Sequence, residues 1–108
     1  MIPSEKDRLA AEAMDLWWEF ERAYTKKLKF PMEQFRAFWI ATRRYAELTR
    51  SDTEINKALA GAVHELASTF GWSGKTVESN VVADIERLEC LLFDGYDPYF
   101  EGDEPPGL

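Results

Sequence analysis

Two short stretches and two side chains hold what chemistry this sequence could offer. Gly74-Lys75-Thr76 has the ending of a phosphate-binding loop, in which backbone N–H groups cradle phosphates and the lysine reaches the outer ones. That loop needs a glycine five residues before the Gly-Lys pair, where this chain has Thr69, and a strand ahead of it, where the pattern is helical. The run from Asp94 starts like a calcium-binding loop. It then places Tyr96 and Pro98 where oxygen ligands belong and Tyr99 where the sharp turn requires glycine. His64 and Cys90 are the sole residues of their types, so no histidine-rich or cysteine-rich metal set can form. His64 projects about 150° from the centre of its helix's apolar face and reads as a solvated side chain. Cys90 lies opposite the main apolar stripe of its own helix. With no nucleophile, base and orienter set in view, the expectation is a protein that is not an enzyme and holds no cofactor or metal.

One longer stretch carries a pattern. ELASTFGWSGKTVESNVVADI, residues 65–85, places Ala67, Gly71 and Val77 at the spacing of alanine, three residues, glycine, five residues, then an aliphatic, with Leu66, Phe70 and Trp72 apolar around them. In this it resembles the helix-turn-helix DNA-binding motif, and it departs from that motif at Asn80, where an apolar residue is usual. The resemblance implies a helical corner with Ser73, Lys75, Thr76, Glu78 and Ser79 near DNA. Glu78, Asp84, Glu86 and Glu89 share that second helix with Arg87 as the one base, whereas DNA affinity rests on neutralising phosphates. The stretch is therefore read as a tight helix-helix corner, with nucleic acid not expected as the partner.

The elements that must position these residues are helices. Ser4 is placed to cap a first helix with Glu5 and Asp7 in its opening turn, and Leu9, Ala13, Trp17, Phe20, Tyr24 and Leu28 recur at steps of three or four. Pro31 ends that run and is suited to be the first residue of a second helix. There Phe35, Phe38, Trp39, Thr42, Tyr45, Ala46 and Thr49 line one face, and Ala37, Ile40, Ala41 and Leu48 fall on the other. Ser51-Asp52-Thr53-Glu54 fits a capping box for a third helix, carrying Ile55, Ala58, Leu59, Ala62, Val63, Leu66, Ala67 and Phe70 and ending at Gly71. Gly61 within it suggests a close approach by a neighbouring backbone. A fourth helix spans 76–93, with Val77, Val81, Ile85, Leu88 and Leu92 on one face and Gly95 closing it. The expected fold class is all-α: a compact bundle of about four helices in one domain, 1–95, followed by an acidic, aromatic arm, 96–108, rich in proline and glycine.

Charge divides unevenly along the 108 residues. The net charge is −7, yet residues 76–108 hold nine acids against Arg87 alone, so the negative excess is concentrated at the C-terminal end. Such a surface repels polyanions and attracts basic ones. The single cysteine excludes an intrachain disulfide, no apolar run approaches the roughly 18 residues of a membrane span, and no leader pattern is seen, so a soluble cytoplasmic protein is expected.

Fifteen aromatic residues are more than a four-helix core of this size readily encloses. Trp17 and Trp18 make the point locally: neighbours in a helix point about 100° apart, so one tryptophan can centre the buried stripe and the other cannot. Trp18 beside Arg22, the second face of the second helix with Ile40, Arg44 and Leu48, and the tail residues Tyr96, Tyr99 and Phe100 are the expected partner or dimer contacts. The functional expectation is a homodimeric regulator that binds and occludes another protein, such as an antiactivator of a transcription factor. An acidic nucleic-acid mimic that inhibits a DNA-handling enzyme is the alternative, and a helix-turn-helix regulator the third.

Overall fold

Ser4 opens the chain's first helix by accepting a hydrogen bond from the Asp7 backbone N–H at 3.1 Å, the expected N-cap. In the computed structural model, residues 4–27, 29–71 and 79–95 are described. They form α1 (Glu5–Lys27), α2 (Met32–Leu48), α3 (Lys57–Leu66) continued by a π-helical turn (Ala67–Gly71), and α4 (Ser79–Asp94), with no strand among them. The helices pack in the order α1, α2, α4, α3 around a square, each against its two neighbours. The fold is the all-α, four-helix arrangement that the periodicity predicts. Among the described residues no helix is long and apolar enough to cross a membrane.

Helix α2 supplies the centre of the core. All seven residues of its predicted inward face are buried, and Phe35, Phe38, Trp39 and Thr42 are fully enclosed. Trp39 joins α2 to α4 by donating its indole N–H to the Asp84 carbonyl at 2.8 Å. From α1 come Ala10, Ala13, Trp17 and Phe20, from α3 Leu59, Ala62, Val63 and Leu66, and from α4 Val81, Ile85, Leu88, Leu91 and Leu92. Aromatic rings concentrate at one end, where Phe20, Phe30 and Phe70 meet edge to face with centroids 5.0–6.0 Å apart. The core takes more aromatics than the composition suggested. Seven of them are buried and Tyr24 and Phe30 pack against it, which leaves Trp18 and Phe93 exposed among the described residues.

Two helix ends differ from expectation. Pro31 is the residue before α2 rather than its first turn: its φ of −85° and ψ of 88° are not helical, while its carbonyl accepts the first bond, from Phe35. The capping box at Ser51–Glu54 does not form, and Asn56 caps α3 instead, accepting from the Leu59 N–H at 3.0 Å. Asp52 is held elsewhere, by Lys6 at 2.6 Å and by its own N–H to the Thr49 carbonyl, and the Asn56 N–H donates to the Tyr45 hydroxyl at 2.7 Å. These contacts keep the segment 49–56 as a loop folded over the end of α2, with Ile55 ahead of the helix and packed against the core. Ala58, expected inward, is exposed. At the far end of α4, Gly95 adopts φ +69° as expected of a helix-closing glycine, and a Cβ there would stand 3.0 Å from the Arg50 carbonyl oxygen. The expected start of α4 at Thr76 and Val77, the corner residues Trp72, Ser73, Lys75 and Glu78, and the arm 96–108 lie outside the described residues.

Gly61 has no close neighbour, contrary to expectation: a Cβ built there meets nothing within 4 Å, and the residue is exposed. Its cost to the helix is therefore uncompensated. Gly61→Ala is expected to stabilise the protein by up to about 1 kcal/mol, read as a higher urea midpoint with an unchanged m-value. A lower midpoint would show that something does approach this face.

Candidate functional site

The paired tryptophans resolve as the helical geometry requires. Trp17 is 3% exposed, stacked on Phe20 at 5.3 Å and packed against Phe38 at 5.2 Å, whereas Trp18 is 50% exposed. Trp17 is thus a core residue and Trp18 is not. Trp18 and Arg22 sit on successive turns of α1 and, with Glu21, Thr25 and Lys26, border a shallow recess. The recess thus sets an aromatic ring beside a guanidinium and a lysine.

Ile40, Arg44 and Leu48 also follow one another at four-residue steps, as an outward ridge on α2, with Ile40 43% and Leu48 40% exposed. Arg44 and Leu48 meet Glu5 and Leu9 of α1 across a second shallow recess, beside the Arg43–Glu47 ion pair at 3.2 Å. Leu9 and Trp18 are nine residues apart on α1, a net rotation of about half a turn. The structure therefore puts the two groups on opposite flanks of α1, as two patches instead of one. Tyr96, Tyr99 and Phe100, the remaining expected contact residues, lie outside the described residues.

Two features escaped the sequence reading. Phe93, at the end of α4, is 45% exposed and adds a third apolar spot; its place to the side of the Ile85 and Leu88 stripe, about 80° from one and about 140° from the other, is the signal that could have found it. The second is a groove of about 190 Å³ between α1 and the end of α3, lined by Trp17, Phe20, Glu21, Tyr24 and Thr25 on one side and Glu65, Thr69 and Phe70 on the other. Glu21 is half buried there. Burial pushes its carboxyl above the ordinary range, the charge of Glu65 pushes it further, and the Trp17 indole hydrogen bond opposes both.

His64 is exposed, with the Ser68 hydroxyl oxygen 3.5 Å from its Nε2, and Cys90 is half buried on α4. Among the described residues no three histidine, cysteine or carboxylate side chains group as a metal site. Comparison of the chain with protein-family models, with curated proteins and with solved structures finds no match.

Proposed function

We propose that the protein is a non-enzymatic interaction regulator that binds and occludes a partner protein, in the manner of an antiactivator on a transcription factor. The observation that carries this reading is Trp18, a half-exposed tryptophan flanked by Arg22 on a rigid helix whose neighbouring tryptophan is fully committed to the core. Ordering a large apolar side chain at a solvent-facing position gains nothing within one chain, while tryptophan and arginine supply most binding energy at interfaces. The net charge of −7 adds attraction to basic surfaces, which DNA-binding proteins present. The ridge of Ile40 and Leu48, on the other flank, is the surface for self-association, so a homodimer can form and leave Trp18 open.

The two surfaces separate experimentally. Leu48→Glu places a charge in an apolar contact and is expected to turn a sedimenting dimer into folded monomer. Trp18→Ala is expected to keep the dimer and the helical circular dichroism, and to weaken capture of the protein partner by at least about 2 kcal/mol. Binding through such an anchor changes little between low and high salt, whereas an acidic mimic of nucleic acid would lose affinity steeply. A wild-type monomer would remove the dimer, and a partner complex indifferent to Trp18→Ala but abolished by salt would remove the anchor.

A further inference from the structure

We propose that the groove between α1 and the π-helical turn is a receptor for one basic side chain, a lysine or arginine of the partner protein docked across the Trp18 flank. This deepens the reading above and rests on it. Its volume, about 190 Å³, is below the roughly 300–1,000 Å³ of small-molecule sites and suits a single long side chain. Its chemistry is that of a cation receptor. Glu21 comes from α1 and Glu65 from α3, so two carboxylates enter from opposite walls, and neither has a basic group within 4 Å among the described residues. Trp17, Tyr24 and Phe70 line the groove around them; Trp17 and Phe70 are held in the core, and Tyr24 is the part-exposed ring against which the aliphatic stem of a long basic side chain can pack.

Glu65 adds to the cost of ionising Glu21. Glu21 titrates above the ordinary carboxylate range because it is half buried and because Glu65 faces it, and a cation beside it offsets both effects. Continuity with the Trp18 recess says where the cation comes from: the two depressions share Glu21 and Thr25. A partner helix or strand seated on Trp18 and Arg22 can therefore reach the groove with its next basic side chain. The neighbouring recess bears Arg22 and Lys26, whereas the charged residues among the described lining of the groove, Glu21 and Glu65, are both acids. The π-helical turn matters here because it supplies Thr69 and Phe70 as the groove's far wall.

The test uses the full chain and a probe in place of the partner. A short capped peptide with one lysine beside leucine, its counterpart with norleucine for lysine, and free butylamine are titrated at matched ionic strength. The Trp17 indole N–H and the Glu21 and Glu65 carboxyl carbons are followed by NMR. The lysine peptide is expected to bind at least about 10-fold more tightly than the norleucine peptide, and more tightly than butylamine. Glu21→Gln with Glu65→Gln, isosteric changes at solvent-reached positions, should erase that difference. Trp18→Ala should leave it intact, which separates failure of the groove from failure of the Trp18 anchor. Equal binding of the two peptides, or an unchanged preference in the double glutamine variant, overturns the receptor; butylamine binding as tightly as the lysine peptide overturns the protein source of the cation.

Discussion

Trp39→Ala is expected to cost about 3–5 kcal/mol of stability, against a total of about 5–15 kcal/mol for a domain of this kind. Trp39 is fully enclosed, it lies on the helix that contacts both α1 and α4, and its indole N–H ties α2 to the Asp84 carbonyl at 2.8 Å. Truncation removes the ring from the centre of the core, leaves a cavity the surrounding helices cannot wholly close, and deletes its hydrogen bond to α4. With m near 1–3 kcal/mol/M, a loss of that size moves the urea midpoint down by at least about 1 M. Trp39→Phe keeps most of the volume and forfeits the N–H, so it should lose much less. Two variants with equal midpoints would mean that the hydrogen bond, and not the packing, is what Trp39 contributes.

That Trp39 would be central is readable from the sequence, since it falls within a seven-residue apolar face whose period is unbroken from Phe35 to Thr49. The split of Trp17 from Trp18 is readable for the same reason: both depend only on the angle per residue. What fails to read is whatever is decided by residues far apart in the chain. The capping box at Ser51–Glu54 has the right letters, but Lys6 from α1 takes Asp52 and the Tyr45 hydroxyl takes the Asn56 N–H, so the helix starts later. The Glu21–Glu65 groove likewise exists only once α1 and α3 lie side by side, and nothing local to either glutamate marks it. Arg22, Arg44, Ile40 and Leu48 were found as exposed residues, yet their division between two flanks needed the α1–α2 packing. Gly61 shows the opposite error, a local oddity given a tertiary cause that the fold does not contain.

Arg87 is the largest residue misplaced by local reading. Counted as the lone base on an acidic helix, it would be set in solvent, but it is 1% exposed, with its guanidinium 5.2 Å from the Trp39 ring centroid and Nη1 3.6 Å from Asp84 Oδ1. Asp84 and Arg87 lie three residues apart on the inward stripe with Val81, Ile85 and Leu88, and that spacing is the signal to look for. Such a pair costs much to desolvate, so its presence matters less to stability than the loss of one partner. Arg87→Met keeps an apolar stem over Trp39 and leaves the buried carboxylate with only the weaker influence of Arg36; it is expected to lose about 3–5 kcal/mol near pH 7.

The same variant should change how stability depends on pH. Burial raises the Asp84 carboxyl above its ordinary value of 3.8, while the Arg87 charge and hydrogen bond and, more weakly, Arg36 lower it. A carboxyl raised in the folded state binds its proton more tightly there than in the unfolded chain, so its contribution to stability is full below the unfolded value and is lost as pH rises through the folded one. Removing Arg87 takes away the main lowering influences and extends that loss toward neutral pH. Arg87→Met should therefore regain stability relative to wild type between about pH 7 and about pH 4.5, and Asp84→Asn in the same background should abolish the regain while restoring most of the neutral-pH stability. Urea midpoints of the four proteins at the two pH values form a double-mutant cycle. A deficit in Arg87→Met that is the same at both would show that the methionine fails by shape alone and that Asp84 does not carry the charge which the guanidinium compensates.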